Sequence, residues 1–146
     1  MAGAGAGNTW EGKNQQTTAK KFKERNEMFR NLKAYQLAFR LAMEIFEESK
    51  SFPKEEKYSL TDQIRRASRS VAANIGEGYR KKQYPRMFVS KIADADGEAT
   101  ETQVWLAFAE ACSYLSNHRQ SELRAGYEEL GRILGGMIAH PEKFAN

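Results

Sequence analysis

The sequence predicts an all-α chain, an antiparallel up-down-up-down four-helix bundle, and three observations carry that prediction. Apolar residues recur at helical spacing in four successive segments, breakers separate those segments by short connections, and no segment carries a strand signal. With 146 residues the chain has the length for one domain with a real core.

Residues 1 to 28 open with Met1-Ala2-Gly3-Ala4-Gly5-Ala6-Gly7 and continue through Asn, Gln, Thr and Lys, too poor in large apolar groups to offset the entropy of ordering. They read as a flexible, mildly basic arm, with Trp10 unexplained. The bundle domain is expected over 29–140 and a C-terminal tail over 141–146. Its first helix spans Leu32 to Lys50, with Ala34, Leu37, Leu41 and Ile45 on one face and Tyr35, Phe39, Met43 and Phe46 broadening it. Ser51-Phe52-Pro53 ends it. The second starts near Ser59, whose hydroxyl is placed to cap free amides, and fades around Lys82. Pro85 suits the first position of the third, expected to last to Asn117, with Phe88, Ile92, Ala95, Ala99, Thr102, Leu106 and Ala109 as its stripe. The fourth runs from Ser121 to Ala139 on a seam of Leu123, Tyr127, Leu130, Leu134, Met137 and Ile138.

Composition narrows the chemistry. The single Cys112 cannot form an internal disulfide, and no cysteine or histidine cluster has metal-ligand spacing, so a metal-free fold in a reducing compartment, the cytoplasm, is expected. No apolar stretch approaches the roughly 20 residues that span a bilayer, and no secretion signal is visible. A formal charge of +4 fits a polyanionic partner.

The second helix has two chemically opposite faces. At about 100° per residue, Leu60, Ile64, Ala67, Val71 and Ile75 fall on one side and Arg65, Arg66, Arg69 and Arg80 on the other. With Lys81, Lys82 and Arg86, and with Lys91 as an outlying candidate, these form a nucleic-acid-binding set, because an arginine fork donates paired hydrogen bonds to phosphate. Tyr79 and Tyr84 beside them offer faces for base stacking. In the third helix Val104, Trp105, Leu106, Ala107, Phe108 and Ala109 are contiguous, and Cys112 extends the excess. An all-round apolar helix end predicts a cover from another chain, so Val104, Trp105, Phe108 and Cys112 form the candidate oligomer interface.

Catalysis finds little support. His118 and His140 sit near helix ends; the residues three before them are Leu115 and Met137, so the Glu-x-x-His pattern of a di-iron bundle is absent. Cys112 lacks a basic sequence neighbour and reads as a small buried hydrophobe. Gly131, Gly135 and Gly136 either permit close helix approach or weaken the last turns. No enzymatic site, cofactor or metal is predicted. Asn74, close to the apolar face, is expected to bond across the bundle and fix register, and Glu77 to pair with an arginine or a neighbouring subunit.

The segment Gln63-Ile64-Arg65-Arg66-Ala67, with Ser70-Val71-Ala72-Ala73-Asn74-Ile75-Gly76-Glu77-Gly78-Tyr79, resembles the signature of the bacterial four-helix bundle family encoded in intervening sequences of 23S ribosomal RNA genes. Leu32 through Ala38, Phe52-Pro53 with Glu56, and Ala93 through Leu106 with Gly97 and Glu101 also match, so the resemblance covers about Phe29 to Ile138. The family includes the accessory variability determinant of diversity-generating retroelements, a basic barrel working with a reverse transcriptase and RNA. The resemblance implies a ring-shaped homopentamer and, for that branch, binding of RNA or RNA/DNA and a polymerase. Asn74, Gly76, Glu77, Gly78, Gly97 and Glu101 are the family-motif positions. The chain departs from the pattern at Gly76, commonly alanine, at Glu98, commonly serine, and at Thr102, commonly a larger apolar residue. Asp94, Asp96, Glu98 and Glu101 also make the third helix locally acidic.

Two functional readings follow. One is a non-enzymatic oligomeric accessory protein that binds structured RNA, or RNA/DNA, through the basic face and assists a reverse transcriptase. The other is a homo-oligomeric protein-interaction scaffold whose arginines meet carboxylates of a neighbour, with Glu44, Glu47 and Glu48 as complements.

Overall fold

A computed structural model describes residues 17–21 and 28–144, and every regular element among them is helical. Residues 17–21 are helical and exposed; the remainder of the predicted arm before Met28, Trp10 included, lies outside the described residues. Four long helices follow: α1 (Lys33–Ser49), α2 (Leu60–Tyr79), α3 (Pro85–Ala111) and α4 (Asn117–Ala139). Packing runs α1 on α2, α2 on α3, α3 on α4 and α4 back on α1, so the four surround one core.

The apolar periodicity placed that core. All of Ala34, Leu37, Leu41 and Ile45 on α1, Leu60, Ile64, Ala67, Val71 and Ile75 on α2, and Leu123, Tyr127, Leu130, Leu134 and Met137 on α4 are buried. On α3 the buried residues are the predicted stripe from Phe88 to Ala109. Phe52, swung inward after α1, closes one end beside the Tyr114 ring at 5.8 Å. Thr102 enters the core by donating its hydroxyl to Glu98 O at 2.8 Å, within its own helix. Burial pushes the Tyr127 hydroxyl above the ordinary phenol range, against a smaller lowering by the nearby Thr102 hydroxyl.

Helix ends depart from the sequence reading for local reasons. Ser59 does not cap α2: its hydroxyl donates to the Glu56 carboxylate at 2.7 Å instead. α3 stops at Ala111, six residues before Asn117, because Ser113 adopts a left-handed φ of 63°. Tyr114 N–H then donates to Ala109 O and Ser113 N–H to Glu110 O, both at 2.9 Å, which is a Schellman closure with serine in the position usually held by glycine. α4 starts at Asn117, ahead of Ser121, since the Ser116 hydroxyl accepts from Arg119 N–H at 3.1 Å. The predicted tail turns back over Pro141–Phe144, where the Phe144 ring stacks on Phe88 at 5.6 Å.

Glycine placement also differs from expectation. Nothing lies within 4 Å of a Cβ built at Gly131, Gly135 or Gly136, so none permits close approach. That role belongs to Gly126 on α4, whose added Cβ would lie 2.5 Å from Leu41 Cδ2.

Candidate nucleic-acid interface

The basic face predicted on α2 exists, but the fold divides it into parts with different surroundings. Arg65, Arg66 and Arg69 line an open groove of about 570 Å³ together with Lys57, Tyr58 and Asp62. Arg65 is half-buried: its Nε donates to Ser49 Oγ at 2.7 Å and its guanidinium lies 4.9 Å from the Phe46 ring. Arg69 lies 5.8 Å from the same ring, as does the Lys50 ammonium at 4.9 Å. Cation–π contact therefore fixes these charges against α1 while leaving donors toward solvent. Arg66 is exposed and meets Asp62 within its helix, at 3.3 Å. Tyr58, 84% exposed beside Lys57, is the aromatic of this groove, and the sequence reading passed it over because it lies in a loop outside the helical pattern.

The other basic residues lie toward the far end of α2. Arg80 and Arg86 are exposed and Lys81 half-buried. Lys82 is only 8% exposed, with its ammonium 4.7 Å from its own Tyr79 ring, which withdraws it from the surface set. Tyr79 is buried too, so Tyr84 alone of the predicted stacking pair faces solvent. Lys91 is committed to Glu77 at 2.9 Å, and this bond and charge hold its ammonium above the ordinary lysine range. Glu77 thus pairs with a lysine of α3 where an arginine was expected within the chain.

Asn74 does not reach across the core. Its amide donates back to Ser70 O at 2.9 Å and Ser70 Oγ at 3.2 Å, one turn earlier, because the half-buried side chain meets its own helix first. The two motif glycines on α2 have separate duties. A Cβ at Gly78 would lie 3.1 Å from both Ile92 Cδ1 and Lys91 Cβ, so Gly78 sets the approach of α3. A Cβ at Gly76 would meet the Phe29 ring at 3.4 Å, an ordinary contact. Gly76→Ala is therefore expected to raise stability by roughly 0.5–1 kcal/mol through helix propensity, read as a rise in the urea midpoint with unchanged slope.

The apolar end of α3 is solvent-facing where predicted. Val104 is 46% and Phe108 53% exposed, Cys112 is exposed, and Trp105 is half-buried with its ring 5.9 Å from Phe108. The exposure of Cys112 corrects its reading as a buried hydrophobe: α3 ends there and the chain turns away. Trp105 Nε1 donates to Glu101 at 3.2 Å. Burial, reinforced by a hydrogen bond and charge from Glu101, pushes the Glu98 carboxyl up from the usual range. Gly97 is exposed, and among the described residues nothing lies within 4 Å of an added Cβ there.

A second groove, of about 610 Å³, opens between α1 and α2 and is largely apolar. Phe39, Met43, Ala72, Ala73 and Gly76 line it, with Arg69 and Arg80 at its edge. Arg119 on α4 escaped the sequence reading altogether: it binds Glu48 at 2.7 Å and Glu44 at 3.2 Å, while Glu44 also meets the exposed Arg40 at 4.0 Å and Glu47 the exposed Lys50 at 3.0 Å. His118 and His140 face Glu122 and Glu142 at the surface. Among the described residues no cluster of histidine, cysteine or carboxylate could hold a metal, and no helix is long and apolar enough to cross a membrane.

No curated protein matches the chain. A solved structure of a protein of unknown function from the S23 ribosomal protein family of Bacteroides thetaiotaomicron is similar to it, at 25% identity and a TM-score of 0.65, over 72% of this chain and 97% of that one. The family model of the 23S rRNA-intervening sequence protein matches residues 30–136, a span that holds α1 to α3, the Gly76 and Gly78 motif and nearly all of α4, and the chain belongs to that family.

Proposed function

We propose that this protein is a non-enzymatic, oligomeric accessory factor that binds structured RNA, or an RNA/DNA hybrid, by shape and phosphate contact. In this reading the helices over 29–140 are an up-down-up-down bundle, assembled as a cytoplasmic homopentamer that holds a template for a reverse transcriptase. The observation that carries it is the groove in which Lys57, Arg65, Arg66 and the 84%-exposed Tyr58 stand together, a stacking face beside phosphate donors. A family defined by intervening sequences of 23S rRNA adds support. Repetition around a ring multiplies a modest charge into a continuous track.

The test is a salt titration of nucleic-acid-free protein on an RNA hairpin and on a hybrid duplex, with assembly mass measured in the same buffers. Lys57→Glu with Arg66→Glu is expected to weaken binding at least tenfold and to lower the salt slope by about one for each phosphate contact removed, with assembly unchanged. Absence of binding at low salt by an intact assembly overturns the RNA reading. A second reading, a homo-oligomeric scaffold with no nucleic-acid role, is favoured by the exposed Phe39, Met43, Val104 and Phe108.

A further inference from the structure

We infer that the RNA bound here carries an unpaired nucleotide, whose base enters a cleft between the start of α2 and the end of α3 while its phosphates stay in the basic groove. The inference rests on the RNA reading above and names the class of RNA that the site takes.

The cleft, of about 630 Å³, lies on the other side of the first turn of α2 from the basic groove. Leu60 and Gln63 line the cleft, whereas Asp62, Arg65 and Arg66 line the groove, as a turn of about 100° per residue requires. Tyr58, in the loop just before α2 and 84% exposed, lines both. One ring therefore joins the two spaces. The Lys57 ammonium lies 5.3 Å from that ring, which puts a phosphate donor where a base would leave its backbone.

The exposed ridge of α3, which carries Val104 and Phe108, supplies the far wall through Phe108 and the half-buried Trp105. The bond from Trp105 Nε1 to Glu101 holds the indole in place before a ligand arrives. Single exposed apolar groups are ordinary on a surface, but Tyr58, Trp105 and Phe108 surround one opening. Each offers a π-face of the kind on which unstacked bases sit.

Charge sorts the parts of a nucleotide between the two spaces. Among the described residues lining the cleft only Glu56 is charged, and its carboxylate, which accepts the Ser59 hydroxyl at 2.7 Å, repels a phosphate. In the groove Lys57, Arg65, Arg66 and Arg69 outnumber Asp62. The backbone thus belongs in the groove and the uncharged base in the cleft, where the Gln63 amide and the remaining acceptor sites of Glu56 meet its edge. A fully paired duplex keeps its bases stacked inside and reaches the groove alone; a bulge or loop reaches both.

Trp10→Phe leaves Trp105 as the sole tryptophan of the full chain, and its emission is followed with RNA hairpins that differ only in one bulged adenosine, one abasic bulge or no bulge. The adenosine bulge is expected to bind about tenfold more tightly than the other two, to quench Trp105 and to protect the exposed Cys112 from alkylation. Lys57→Glu with Arg66→Glu should weaken all the hairpins alike, and Phe108→Ser should erase most of the preference among them. The quenching and protection need no variant of the cleft itself. Equal binding of all the hairpins, or unchanged Trp105 emission in a formed complex, overturns the base site and leaves the phosphate reading standing. Binding of none of them at low salt overturns both. Trp105 shielded from acrylamide and Cys112 from alkylation before RNA is added would show that another copy covers the cleft, and overturns the base site alone.

Discussion

Gly126→Ala is expected to destabilise the protein, although the same change at Gly76 stabilises it. Both glycines are in helix interiors, where alanine gains about 1 kcal/mol in propensity. Surroundings decide the sign. At Gly126 the new methyl would lie 2.5 Å from Leu41 Cδ2 and 3.5 Å from Cγ. Leu41 is 2% exposed and surrounded by core, so moving its side chain displaces close-packed neighbours. Either Leu41 is forced from its rotamer or α4 backs away from α1. Overpacking of this kind costs about 1–3 kcal/mol, which leaves a net loss of up to about 2 kcal/mol after the propensity gain. Thermal unfolding should show a Tm lowered by several degrees, at roughly 4 °C per kcal/mol for a domain of this size. Gly126→Ala combined with Leu41→Ala makes the argument specific: if the clash is the cause, adding Gly126→Ala to Leu41→Ala should cost nothing further. A Tm unchanged by Gly126→Ala alone would show that α1 and α4 separate without cost.

The sequence made helices and core legible and left the surface chemistry largely hidden, for one physical reason. Burial imposes periodicity, and periodicity is visible in one dimension: the α3 stripe from Phe88 to Ala109 follows from spacing alone. Exposed ridge residues such as Val104 and Phe108 were legible as the apolar excess that one stripe cannot bury. Pair identities carry no such signal. Lys91 and Glu77 sit on different helices, and Arg119 lies 71 residues from Glu48. Likewise, a basic residue can be recognised by type, but whether it stays at the surface depends on local packing, as Lys82 folded onto Tyr79 demonstrates. Caps failed in the same way. Ser59 and Ser116 are both serines before a helix, and the nearby Glu56 carboxylate diverts the first from the role that the second performs.

Arg119→Met is expected to cost about 1.5–3 kcal/mol, more than the loss of any other single ion pair among the described residues. Arg119 is 25% exposed, Glu44 35% and Glu48 34%, so water screens this network less than it screens the open pairs. Hydrogen bonds to Glu48 and Glu44 hold the guanidinium above its already high range, which means that the folded state favours the charged form. The network ties the first turn of α4 to the second half of α1, two elements with no chain connection between them. Truncation leaves the half-buried Glu48 carboxylate without the cation that held it and Glu44 with the exposed Arg40 at 4.0 Å, and the mutual repulsion of two carboxylates one turn apart adds to the lost bonds. Arg124→Met supplies the contrast. Arg124 and Glu128 are 57% and 56% exposed at 3.7 Å, and their loss should fall within about 0.5 kcal/mol. Arg119→Met with Glu44→Gln and Glu48→Gln should recover much of the deficit, because the penalty comes mainly from stranded charge. Urea midpoints for the four proteins check the order. Equal losses for Arg119→Met and Arg124→Met would show that the partly buried network behaves as an ordinary surface pair.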